Sequence, residues 1–127
     1  MIDQVLGGEN YELAKKMLDA AVLRHEALAT NLANLETPGF KRIDLAPDFV
    51  RELDSLSADS DPEKIDQLQP RLAQDTFTKA VRPDGNNVQL DRELLDMNQN
   101  ALEYEFLTQY ASDSIKRLKT AVTGRIS

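Results

Sequence analysis

The chain has 127 residues, 15 of them Lys or Arg and 22 Asp or Glu, giving a formal net charge of −7 and a pI near 4.7. On balance such a chain is repelled by a nucleic-acid backbone or an anionic membrane surface, so neither is an expected partner. With no cysteine, disulfides, thiolate metal sites and cysteine nucleophiles are excluded as well.

The length suits a single domain over residues 1–127, and a hydrophobic share of 41% with 6% aromatics is lean for a compact globule. All five prolines, Pro38, Pro47, Pro62, Pro70 and Pro83, lie between Thr37 and Asp84. Proline inside a helix costs about 3 kcal/mol, so this distribution divides the chain into helix, irregular middle and helix. The expected fold class is mainly α, with long terminal helices paired as a coiled-coil-like hairpin and a small irregular or β-hairpin middle.

The opening, Met1 to Gly8, carries an acid where a secretory signal needs Lys or Arg, and its apolar run is too short. No window reaches the roughly 18 apolar residues of a membrane span. Export, if it occurs, is expected through a route that reads an uncleaved signal.

The first helix is predicted over residues 9–36, with Asn10 or a neighbour as cap. Leu13, Met17, Ala21, His25, Leu28, Leu32 and Leu35 form one stripe. Asn31 and Asn34 sit on its last turns, where their amides can satisfy terminal carbonyls or a neighbouring subunit's backbone. Pro38 then excludes helix, Thr37 is pushed toward extended geometry, and Gly39 permits a positive φ. Phe40 is expected to pack back as an anchor, with Lys41 and Arg42 at its polar rim.

The middle, residues 37–90, divides further. Phe49, Val50, Leu53 and Leu56 follow Pro47 at helical spacing, predicting a short helix over 47–56. Residues 54–74 are polar and acidic and read as a mobile loop. A β-hairpin is predicted over 76–90, closed by the turn residues Pro83, Asp84 and Gly85.

The last helix is predicted over 91–124, with Asp91 as cap and Gly124 as stop. Its stripe is Leu90, Leu94, Met97, Ala101, Tyr104, Thr108, Ala111, Ile115, Leu118 and Val122, an unbroken alternation of four- and three-residue steps. A second set, Ala20, Leu23, Ala27, Leu95, Leu102, Phe106 and Leu107, widens the apolar surface. One helical pair cannot bury that much, so other chains are expected to supply cover.

Catalytic chemistry has few parts to work with. The lone histidine, His25, lies in an apolar stripe and reads as a packing or partly exposed residue. Asp59, Asp61, Glu63 and Asp66 lack the glycine and terminal glutamate of a calcium loop. The other carboxylates read as solvated faces. Asp84-Gly85 is a turn, since one glycine cannot line a phosphate cradle. No catalytic, cofactor or metal site is expected.

Asn31-Leu32-Ala33-Asn34-Leu35-Glu36-Thr37-Pro38-Gly39-Phe40-Lys41 closely resembles the signature of the flagellar rod and hook protein family, with Leu32 where isoleucine is usual. Arg82 to Gln109 and Ile115 to Arg125 resemble the proximal rod members, and only residues from Asp54 to about Gln74 lack a match. The resemblance implies a structural subunit of the basal-body rod, stacked helically with its helices inward and located in the periplasm. It implies partners as well: further copies, the rod proteins FlgC, FlgF and FlgG, FliE, the ring protein FliF and the flagellar type III export apparatus. It also implies helices that order fully only on assembly. The competing readings are another rod protein such as FlgC, a soluble coiled-coil adaptor or export chaperone, and a cell-wall lyase using Glu52 or Glu105.

Overall fold

A computed structural model describes residues 11–56, 60–80 and 82–124. The order is α1 (Tyr11–Ala33), β1 (Ile43–Leu45), α2 (Pro47–Ser55), α3 (Pro62–Gln67), β2 (Leu72–Gln74) and α4 (Leu90–Thr123). The anticipated cap Asn10 and the opening segment read for export lie outside the described residues.

The two long helices form an antiparallel hairpin, in which Asn31 meets Glu93 and, further along, the Asn100 amide donates to the Ala21 carbonyl at 2.8 Å. The hairpin buries Leu13, Met17, Ala21 and Leu28 of the expected α1 stripe but not the expected α4 stripe, so the coiled-coil pairing of the two stripes is not confirmed. α4 turns Glu93, Asn100, Leu107 and Ala111 inward, while Leu90, Leu94, Tyr104, Ile115, Leu118 and Val122 stay exposed. Glu93, Asn100 and Leu107 lie one residue before Leu94, Ala101 and Thr108, and each residue turns a helix by about 100°, so most of the stripe faces sideways and of its members only Ala111 is buried. α1 presents alanines Ala20, Ala21 and Ala27 with Leu13, Met17 and Leu28, a mostly small and apolar face that admits a close neighbour.

The core is built by α1 and the middle segment more than by the helix pair. Leu13, Met17 and Ala20 of α1 pack with Leu45, Ala46, Phe49, Leu53, Ile65 and Leu68, and α4 adds Leu107. Pro47 occupies the first turn of α2, where its missing N–H has no helical partner to lose, and Phe49 and Leu53 point inward.

The stretch 54–74, expected as a mobile loop, carries two ordered elements among its described residues. Asp61 caps α3 by accepting from the Glu63 N–H at 3.0 Å, and Ile65 and Leu68 anchor that helix in the core. The expected β-hairpin over 76–90 is also replaced. The small antiparallel sheet pairs β1 with β2, Ile43 opposite Gln74 and Leu45 opposite Leu72. Asp75 accepts from the Phe77 and Thr78 N–H groups, bending the chain where the first hairpin strand was predicted. The turn itself is present, with the Gly85 N–H on the Arg82 carbonyl and Gly85 at φ +83°.

α4 begins at Leu90, with Gln89 rather than Asp91 in the cap position, and ends at Gly124 in the left-handed conformation. Beyond Ala111 it has no buried residue among those described. Amide exchange of the isolated protein is expected to show protection over 90–111 and rapid exchange over 112–123, because helical bonds without tertiary cover open locally. Equal protection along the whole helix would contradict this.

Candidate functional site

The signature stretch and the turn 82–85 pack against each other and form one site. α1 ends at Ala33, and its last bonds tighten, the Asn34 N–H reaching both the Thr30 and Asn31 carbonyls. Residues 37–40 then form a turn in which the Phe40 N–H meets the Thr37 carbonyl at 3.2 Å. Pro38 and Gly39 take its central positions, Gly39 at φ +73°, the arrangement a type II turn requires.

The carbonyls that this ending and its turn present are met by the loop before α4. The Asn86 side-chain amide donates to the carbonyls of Asn34, Leu35 and Thr37 at 2.8–3.1 Å, and the Arg82 guanidinium also donates to Leu35. The Lys41 ammonium returns the contact, donating to the Gly85 carbonyl. Asn87 joins both sides, with its N–H on the Phe40 carbonyl and its side-chain oxygen accepting from the Arg42 N–H at 2.6 Å. Asn86 and Asn87 are buried, and this use of their amides accounts for two adjacent asparagines there.

Asn31 and Asn34, expected to serve chain or neighbour, both serve their own chain. Asn31 is fully buried, accepts from the Ile43 N–H and donates to the Ile43 carbonyl, both at 2.8 Å, so its amide pairs with β1 as a strand would. It also donates to Glu93 at 3.2 Å. Asn34 donates to the Thr30 carbonyl and accepts from the Thr37 hydroxyl.

Below the two turns lies a charged cluster. Arg42, expected at the rim of Phe40, is instead 3% exposed, and Phe40 itself is half-buried. Its guanidinium holds Glu93 at 2.7 Å, Asp75 at 2.6 Å and Asp44 at 3.3 Å, with Asp96 at 4.0 Å. Arg24 bridges Asp44 and Asp96 from α1. The physical reason is compensation: Glu93 is fully buried, and a buried carboxylate requires a paired cation. Sequence reasoning placed all carboxylates on solvated faces and missed Glu93, Asp75, Asn86, Asn87 and Asn100. The available signal was periodic, because Glu93, Asn100 and Leu107 are spaced by sevens on one face.

Burial alone lowers the pKa of Arg42, but its bonds to Glu93 and Asp75 outweigh that and raise it, so the cation persists at every ordinary pH. Burial pushes the Asp75 carboxyl up, yet the Thr78 hydroxyl, Arg42 and the Phe77 and Thr78 N–H groups outweigh it and hold it at about 2 against an ordinary 3.8. The sequence-predicted stripe residues are dispersed: Leu28 is buried, Leu32, Leu35 and Met97 are half-buried, and Ala101 is exposed. His25 is exposed beside a groove of about 410 Å³ between α1 and α4. Among the described residues no three His, Asp or Glu side chains converge as metal ligands.

A depressed carboxylate stabilises the fold above its unfolded pKa and loses that contribution as pH falls through the folded value. Asp75 is therefore expected to contribute about 2 kcal/mol at neutral pH, lost between pH 4 and pH 2. Denaturant unfolding of Asp75→Asn should show that loss at pH 7 and a shallower acid limb. Arg42→Met should cost about 3–5 kcal/mol by leaving Glu93 buried and unpaired, and Arg42→Met with Glu93→Leu should recover part of it. A double variant as unstable as the sum of the singles would rule out the pairing.

No family model matches the chain. It is 32% identical over 118 residues to the flagellar basal body rod protein FlgB of Aquifex aeolicus, covering 89% of this chain and 92% of that protein. It is 29% identical over 118 residues to the protein of that name in Escherichia coli, covering 80% and 84% of the two chains. The Buchnera aphidicola protein of that name is 24% identical over 127 residues, covering 90% and 94%. Similarity that runs through nearly the full length of both chains includes the clasp of the two turns and both long helices, and the chain belongs to the FlgB family of flagellar basal body rod proteins.

Proposed function

We propose that this chain is a subunit of the proximal rod, exported by the flagellar type III apparatus without a cleaved signal and assembled in the periplasm. It is a structural protein and not an enzyme, in keeping with its family. The observation that carries the finer reading is the uncovered stripe of α4, where Leu90, Leu94, Tyr104, Ile115, Leu118 and Val122 are all exposed. Over 34 residues the helix is about 51 Å long, and an apolar row of that length in water calls for a partner.

The partners in this reading are further copies and the rod proteins FlgC, FlgF and FlgG, with FliE and the ring protein FliF at the base. Torque transmission needs stiffness only, and many helix contacts in parallel supply it without turnover. Among the described residues no helix is long and apolar enough to cross a membrane.

Mass spectrometry of washed hook–basal bodies from the native host tests the placement directly, and absence of the chain beside other rod proteins would overturn it. Ile115→Asp is expected to leave the unfolding midpoint of the isolated protein within about 0.5 kcal/mol, because the site is exposed in the single chain. The same substitution should abolish swimming, since a charge buried at an interface costs several kcal/mol. Normal motility of the variant would remove the stripe from the assembly surface.

A further inference from the structure

α4 is divided by charge. Residues 90–109 carry five carboxylates against one arginine, and residues 110–124 carry three cations against one carboxylate. The two halves also differ in shape. Beside the acidic half, α1 and α4 enclose the groove noted above, with small residues Ala21 and Ala101 set between Val22 and Tyr104, and with Glu26 and Glu105 along its lining. The basic half projects Ile115, Leu118 and Val122, which are 49%, 66% and 79% exposed. Their spacing of three and four puts them on one face of the helix.

We infer that the basic end of α4 from a second copy of this chain docks in the groove between α1 and α4. Ile115, Leu118 and Val122 enter the apolar hollow, and Lys116 and Lys119 meet Glu26 and Glu105. The inference rests on the rod-subunit reading and gives it a specific contact. Charge complementarity selects the occupant: all four of these charged side chains are exposed, and among the described residues their charged groups are unpaired. An amphipathic helix in an apolar groove is a recurrent mode of recognition, with affinity from anchors at this spacing.

The groove cannot be filled by the same chain's own tail. Asn100 contacts α1 at Ala21, and Leu118 lies 18 positions further along a straight helix, about 27 Å away. Groove and tail are separate surfaces of each copy, so the tail of one copy engages the groove of another. Engaged reciprocally the contact closes as a two-fold pair, and engaged in one direction it propagates along an assembly. The acidic half of one helix also screens the basic half of the next, which lessens the repulsion between copies of a chain with net charge −7.

The chain has no cysteine, so disulfide trapping starts from a clean background. Val22→Cys with Leu118→Cys is introduced into the full chain, and washed basal bodies are oxidised and run without reductant. The expected result is a cross-linked product, a dimer or a ladder of higher multimers, absent from either single variant and from the control pair Phe77→Cys with Leu118→Cys. Chain present in the basal bodies without a cross-linked product overturns the docking and leaves the rod reading intact, whereas chain absent from wild-type basal bodies overturns both. A charge exchange covers the case in which the cysteine pair does not assemble. Glu26→Lys with Glu105→Lys, and Lys116→Glu with Lys119→Glu, should each lose swimming, and all four changes in one chain should restore it. No restoration overturns the docking.

Discussion

Arg42 is the constraint on which the arrangement depends. A guanidinium that is 3% exposed must be surrounded by acceptors, and its acceptors come from β1, from the bend after β2 and from the first turn of α4. Arg24 draws α1 into the same cluster through Asp44 and Asp96. Satisfying one charge therefore places four segments relative to one another. Buried ion pairs add little stability over well-packed apolar groups, but only one register of the helices leaves no charge alone.

The two turns above this cluster extend the same logic to neutral groups. The turn after α1 presents carbonyls to the loop before α4, and here one amide, that of Asn86, donates to three of them. The clasp holds the end of α1 against the entry to α4, so the direction of the long helix is set at its base. Asn31, Glu93 and Asn100 are then inside the hairpin, and much of the apolar content of α4 is outside. That inversion is costly for a solitary protein and suits one whose helices have neighbours.

Large parts of this were legible in the residues. Prolines confined to the middle marked both long helices, Pro38 and Gly39 marked the turn, and the heptad of α4 marked a helix of the right extent. The stripe was taken for the pairing face because apolar periodicity reports which residues share a side and not what that side meets. β1 and β2 were invisible because each has three residues and its partner lies far along the chain. Glu93 and Arg42 looked like surface residues, since a charge with a distant partner reads in sequence like a charge in water.

Local chemistry therefore determined, from the sequence by itself, where helices run, where the chain turns and that no thiol chemistry is available. These depend on neighbours within a few positions, through proline's missing N–H, glycine's positive φ and the helical repeat. The tertiary structure alone decided which face of α4 is inside, which residues of the middle pair, and that Asn31, Arg42 and Glu93 form one buried network. Those outcomes depend on pairings between residues 12 to 79 positions apart, and long-range pairing is chosen by the joint satisfaction of buried groups, which no local pattern encodes.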